Sequence, residues 1–350
     1  MRNFEPNELT PQYKASLKSR VIVGIVLAAI LVPTFILGGW VFFCVIGAFL
    51  AIAIHEMSKA TKRPYGWYVY VATYIIVFAF VYWFVVKGNL EDYQINPSGF
   101  VFSLEKHFHN FDISWITVVC ALGFYFVVAI ADENFSFGDV SYFITMTLLL
   151  GLGFQSFFFL RYYPFYLYGV NPEFANQSIC LSTIGKDLVE TPLFSYGASV
   201  ELLFFVIIGV VLNDTIAYFV GSLFGKHHMN ERVSPHKTWE GFFGGWIGSF
   251  LITSGIGLAF AASNTPMLPT LTLDQWYWIV FLAFVIPLFG DLGDLSMSFI
   301  KRYFKLKDYG TILRGHGGIL DRADSAMFAC IGVMVLLIFI TNGWNFIARA

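Results

Sequence analysis

Between residues 290 and 325 the chain reads GDLGDLSMSFIKRYFKLKDYGTILRGHGGILDRADS, with acids at both edges of a basic, glycine-containing stretch. On a helix over 291–302, steps of three and four return to one face, so Asp291, Asp294, Ser298 and Lys301 or Arg302 form a single stripe; on a strand they would scatter. The apolar run that begins near Trp276 carries this stripe into a hydrophobic layer, where insertion costs about 2.5–3.5 kcal/mol per aspartate unless a partner compensates. A bound cation is the natural partner. Arg314-Gly315-His316-Gly317-Gly318 follows, and its three glycines let backbone amides approach an anion. Asp321 and Asp324 then stand three apart at the start of the next apolar run. Carboxylates suit a hard metal ion and cations suit phosphates, so the implied chemistry is that of a phosphorylated ligand.

A second segment has similar content. Asn213-Asp214-Thr215 and Tyr218 lie deep in an apolar run, followed by Gly225-Lys226-His227-His228 and by Ser234-Pro235-His236-Lys237-Thr238-Trp239-Glu240-Gly241. An intramembrane acid such as Asp214 reads as functional by default, the bland alternative being a helix-packing hydrogen bond. Taken alone, Asp321 and Asp324 also read as a helix cap, and Lys301 to Lys307 as an ordinary membrane-surface anchor. Caps and anchors do not by themselves call for acids on the membrane side and a glycine-rich turn as well. His107 and His109 have no third metal ligand in register and read as loop. Cys44, Cys120, Cys180 and Cys330 form no CxxC pair, which argues against zinc and against a disulfide framework.

At these residues a resemblance becomes specific. Ser298, Lys301, Arg302, Lys307, Asp308, Gly310, His316-Gly317-Gly318 and Asp321-Arg322 with Asp324 resemble the signature of the phosphatidate cytidylyltransferase (CDP-diacylglycerol synthase) family. The Asn-Asp-Thr helix, the Phe-Gly-Lys turn and the Ser-Pro-x-Lys-Thr-x-Glu-Gly segment resemble the same family. The resemblance implies transfer of CMP from CTP to phosphatidate, giving CDP-diacylglycerol and pyrophosphate, in phospholipid biosynthesis at a bacterial plasma membrane. It also implies magnesium, with a second, monovalent cation as a further candidate. Asp294, Asp321 and Asp324 are then the metal ligands, with Asp291 as a fourth candidate, and Lys301 and Arg302 join the three as catalytic residues. Asp214, Lys226, Lys237, Glu240, Ser298, Lys307, Asp308, His316, Gly317, Gly318 and Arg322 are the expected substrate-binding set. No general base is needed, because phosphatidate is already ionised. The sequence departs from the pattern at Met297, where the family usually has Glu, and at Asp291, Arg314, Ala323 and His236. One expectation is that Asp291 supplies the charge that Glu would bring; another is a catalytically degenerate member of the family.

The elements that must position these residues are membrane helices. Of 350 residues, 57% are hydrophobic and 13% charged, with a mean hydropathy of +0.68, whereas soluble domains carry about 25% charged residues. The pattern predicts an all-α polytopic protein of about nine spans: 21–37, 40–54, 66–86, 113–131, 140–160, 199–224, 241–262, 276–299 and 323–341. Residues 1–20 form a polar N-terminal segment, 21–198 about five helices with long loops, and 199–341 a catalytic region with two motif loops. Of the 21 lysines and arginines, 16 fall in the N-terminal segment and the loops after spans two, six and eight. By the positive-inside rule these face the cytoplasm. Gly241, Gly244, Gly245 and Gly248 mark a face for close helix approach, and with the resemblance they suggest a homodimer through span seven. The competing class is a transporter or channel for an anionic solute. It predicts charge spread through the membrane depth or paired inverted repeats. Here the charge gathers at one edge. A CDP-alcohol phosphotransferase would carry Asp-Gly-x-x-Ala-Arg, which is absent.

Overall fold

The computed structural model describes residues 11–83, 114–169, 200–230, 232–262, 267, 268, 270–310, 312 and 317–342. Among the described residues nine α-helices are present: α1 (Pro11–Leu37), α2 (Gly39–Ala60), α3 (Trp67–Val81), α4 (Trp115–Ala131), α5 (Phe137–Gly169), α6 (Val200–Phe224), α7 (Trp239–Ala262), α8 (Trp276–Tyr303) and α9 (Leu320–Asn342). Among the described residues six helices are long and apolar enough to cross a bilayer. Three shorter apolar ones, Val23–Leu37, Trp67–Val81 and Trp115–Ala131, complete the set. The protein is therefore an all-α polytopic membrane protein; six of the nine expected spans fall on helices of crossing length and three on the shorter apolar helices. Large side chains such as Ile75, Val119, Ile130, Val211, Leu251 and Trp276 lie exposed on the outer faces, as hydrocarbon-facing positions do.

Local chemistry sets the boundaries. Gly38, at φ 61°, turns α1 into α2 in the left-handed region that favours glycine. The fully buried Arg161 sits against it and donates from Nε to the carbonyl of Phe35 at 2.8 Å, satisfying the end of α1. Ser114 caps α4 by accepting the Thr117 amide at 3.2 Å. Span two was expected to stop near Ile54, with 55–64 as a polar loop. Instead α2 runs to Ala60, because Ala53, Ile54, Met57 and Ala60 repeat at helical spacing and are all buried. The all-α pattern predicts no strand in the loop after span six. That loop folds as a hairpin of β1 (His228–Asn230) and β2 (Ser234–Thr238), whose turn is closed by Asn230 Oδ1 accepting the amides of Arg232 and Val233.

Side-chain ties collect four loops at one end of the bundle. Arg63, after α2, pairs with Asp139 at the start of α5 at 2.6 Å, and Tyr65 donates to the same carboxylate. Lys62 reaches the carbonyl of Lys305 after α8, and Arg302 donates to the carbonyl of Val233 in the hairpin. Even the acidic turn 132–134, which carries no cation, is thereby placed on the same side as the motif loops. The glycines of α7 lie against α6 of the same chain. A Cβ on Gly245 would come within 2.8 Å of the Asn213 carbonyl, and one on Gly248 within 2.9 Å of Ile216. Gly241 likewise meets the Ala217 carbonyl, and Gly244 meets Val220. The close approach is therefore intramolecular, which removes the glycine argument for dimerisation.

Candidate active site

Helix α8 presents Asp291, Asp294, Ser298 and Lys301 on the stripe its spacing demanded. Across from it, β2 delivers Lys237, whose ammonium lies 2.8 Å from Asp291 Oδ1 and 2.9 Å from Asp294 Oδ2. Asp291 is buried and also accepts from Asn213 Nδ2 on α6 at 3.0 Å, while Ser298 donates to Asp294 at 3.3 Å. Desolvation would pull the Lys237 ammonium toward its neutral form, but the Asp294 and Asp291 carboxylates together outweigh it and raise its pKa above the ordinary lysine value. Lys237 is thus a fixed positive charge.

A second lysine organises the other acid pair. Lys301, buried at the end of α8, lies 2.9 Å from Asp321 Oδ1 and 3.9 Å from Asp324 Oδ2, both on the first turns of α9. The second oxygen of Asp321 accepts the amides of Tyr309 at 2.8 Å and Gly318 at 2.9 Å. The Tyr309 ring lies 5.7 Å from the Lys301 ammonium, and burial raises its phenol pKa, so it stays neutral. The two acid pairs that the sequence offered as one metal set are therefore divided between two ammonium groups.

Two cavities adjoin these pairs. One, of about 500 Å³, is lined by Asp214, Tyr218, Ser234, Lys237, Asp291 and Asp294 among others. The other, of about 530 Å³, has an apolar wall that includes Leu31, Phe35, Phe157 and Ile207, and a polar end formed by Asp214, Asp321, Arg322 and Asp324. Asp214 belongs to both.

Residues 18–340, from before the first apolar run to the last, match the cytidylyltransferase family. The chain belongs to this family. Proteins named phosphatidate cytidylyltransferase are similar to it over shorter stretches. They include one from Staphylococcus epidermidis (37% identical over 168 residues), one from Staphylococcus haemolyticus (46% over 129) and one from Staphylococcus aureus (36% over 170). The stretches cover 47%, 37% and 47% of this chain and 61%, 46% and 61% of those relatives, so the chain spans less than two thirds of their length.

Within this member of the cytidylyltransferase family the remaining expected residues take varied places. Arg302 is engaged with the carbonyls of Val233 and Leu306 at 3.2 and 3.1 Å, tying the hairpin to the loop after α8. Glu240 turns back to His227, accepting its amide and pairing with Nδ1 at 2.6 Å, and so braces the turn that carries the exposed Lys226. Lys307 and Asp308 are exposed, and Arg322 is exposed at the end of the apolar cavity. Gly317, at φ 81°, leaves room for Asp321 Oδ2, which a Cβ would meet at 2.7 Å. His316 and Arg314 lie outside the described residues, as do Cys180, His107 and His109. Met297 is fully buried, with its carbonyl accepting from the Tyr309 hydroxyl at 3.4 Å, while Asp291, the candidate for the missing charge, is committed to Lys237 and Asn213. Sequence reasoning passed over two residues, Tyr309 and Glu56. The signal for Glu56 was the helical repeat Ala53, Ile54, Met57, Ala60, which carries α2 past the polar residues.

Magnesium fits this cluster on donor type and charge. Asp214, Asp291, Asp294, Asp321 and Asp324 gather around Lys237, Lys301 and Arg322, so the acids outnumber the cations. Among the described residues no group of three or more carboxylates, histidines or cysteines is placed to hold a metal ion by itself. Magnesium does not need one, because it is commonly held by one or two carboxylates, waters and substrate phosphates.

Proposed function

We propose that the chain transfers CMP from CTP to phosphatidate, releasing pyrophosphate and forming CDP-diacylglycerol. The observation that carries this reading is the pair of cavities, one lined by Lys237, Asp291 and Asp294 and one with an apolar wall, that share Asp214 and end at the two lysine-bridged acid pairs. A nucleotide triphosphate suits the cavity beside Lys237. A diacyl lipid suits the other, with Leu31, Phe157 and Ile207 along its chains and Arg322 at its phosphate. The relatives named phosphatidate cytidylyltransferase support the reaction, and the positive-inside count supports a cytoplasmic site.

In this reaction a phosphatidate oxygen attacks the α phosphorus of CTP, and the bond from that phosphorus to the oxygen bridging it to the β phosphorus breaks. Both reactants are polyanions, so the chain's task is to position them and neutralise charge. Lys237, held cationic by its two carboxylates, faces the nucleotide cavity and steadies the triphosphate. Asp294 and Asp214 are the cavity carboxylates that would hold magnesium with the triphosphate, and Asp321 and Asp324 those on the lipid side. Magnesium, when bound, would supply Lewis-acid stabilisation of charge on the phosphates. Lys301 pairs with Asp321 and approaches Asp324, and so orients both carboxylates.

The test is conversion of radiolabelled CTP and phosphatidate to a chloroform-soluble product by purified, detergent-solubilised protein. CDP-diacylglycerol formed by wild type and lost in Asp321→Asn is the expected result. If folded wild type binds CTP but makes no lipid product, the transfer reading fails in favour of a degenerate member of the family.

A further inference from the structure

Glu56 lies in the last turns of α2, in the half of the chain that holds none of the phosphate-handling motifs, and only 2% of it is exposed. Its two carboxylate oxygens accept the backbone amides of Ile319 at 3.1 Å and Leu320 at 2.9 Å. These amides open α9 and have no acceptor within the helix, so the carboxylate satisfies them and meets the positive end of the helix dipole. An independent observation points to the same contact. A Cβ on Gly310 or on Gly318 would collide with the Glu56 carboxylate, so glycine at both positions is what admits the acid. Gly318 in turn donates its amide to Asp321 at 2.9 Å. The residue pressed against Glu56 therefore also orients the acid of the site. Asp324 follows one turn later on the same helix.

We infer that Glu56 is a positioning residue for Asp321 and Asp324, clamping the glycine loop and the first turn of α9 in the register that presents both acids to Lys301. It lines neither cavity, so it acts through the backbone it holds. The turnover consequence rests on the transfer reaction proposed above, whereas the clamp does not.

The experiment uses the full chain in detergent: wild type, Glu56→Gln, Glu56→Ala, Gly318→Ala and the Glu56→Ala/Gly318→Ala double variant. Glutamine keeps the size of the side chain but sets an NH2 group against a backbone donor. Two readouts are taken, amide hydrogen exchange over 317–324 and steady-state kinetics with CTP and phosphatidate. With one lost hydrogen bond to a carboxylate worth about tenfold, Glu56→Gln is expected to speed local exchange about tenfold and to lower kcat by a similar factor. Exchange in α3 to α5 stays at the wild-type rate, and KM for CTP stays within about threefold because the nucleotide cavity is untouched. Gly318→Ala reproduces this pattern, and the double variant is no worse than Glu56→Ala, since both changes break one contact. Additive losses, acceleration spread over the whole molecule, or wild-type kcat with undisturbed local exchange would each overturn the inference. The expected exchange pattern with no product from any of the proteins would uphold the clamp and sink the transfer reading instead.

Discussion

Lys301 and Asp321 meet at 2.9 Å across the base of the loop from 304 to 319, the lysine from the end of α8 and the aspartate from the start of α9, with side chains only 10% and 4% exposed. The contact ties the two motif helices together where the charged loop leaves the bundle. Breaking a buried pair by removing one partner costs about 3–5 kcal/mol, because the other charge is left stranded. Lys301→Met is expected to lower thermal stability by that order and to abolish product formation, with Lys301→Arg recovering part of the stability. Thermal unfolding in detergent checks the first claim and CDP-diacylglycerol yield the second.

Lys237 gives a prediction in pH. Its folded pKa is raised by Asp294 and Asp291 against the pull of desolvation, so its contribution to stability is fully present below the unfolded value, about 10.4, and is lost only as pH rises through the folded one. The stability difference between wild type and Lys237→Met is therefore expected not to shrink between roughly pH 6.5 and 9. A difference that shrinks across that interval would mean that Lys237 titrates within it.

Removing divalent metal with a chelator is expected to stop product formation, and magnesium to restore it. Asp294→Asn takes a carboxylate from the nucleotide cavity and is expected to raise the half-saturating magnesium concentration by about tenfold or more, in line with the loss of one charged ligand interaction. Titrating magnesium against initial rate at fixed CTP checks this. Activity indifferent to chelation would remove the metal from the mechanism.

Ile207 borders the cavity with the apolar wall and is absent from the lining of the cavity that holds Lys237. Ile207→Trp is expected to fill that space and to raise KM for long-chain phosphatidate by several-fold, on the order of 1 kcal/mol of lost lipid contact, while KM for CTP holds. Equal changes in both constants would show that the two cavities do not divide the substrates.

Glycine packing of α7 on α6 supplies a paired test. A Cβ on Gly245 would come within 2.8 Å of the Asn213 backbone, next to Asp214, whereas a Cβ on Gly255 meets nothing within 4 Å. Gly245→Val is expected to cost about 1–3 kcal/mol through overpacking and to reduce turnover by displacing α6, with Gly255→Ala silent in both assays.

Much of the architecture was legible because hydrophobic periodicity is a local property. A long apolar run becomes a helix wherever it sits, and steps of three and four placed Asp291, Asp294, Ser298 and Lys301 on one stripe before any fold was known. The motif segments also carried their own chemistry, acids beside cations around glycines, and that was enough to propose a phosphate-handling site. The end of α2 was misread because a polar run was equated with a loop, although the buried repeat beneath it continued.

What only the tertiary structure decided is which charge meets which. Lys237 is separated from Asp291 by 54 residues, and Glu56 from Leu320 by 264, so no local pattern links them. In a low-dielectric interior each buried charge must find a partner, and the pairing is set by which helix ends converge. That convergence divided a nominal metal set between two lysines, gave the glycines of α7 to α6 rather than to a second chain, and brought an acid of the N-terminal half to the first turn of α9.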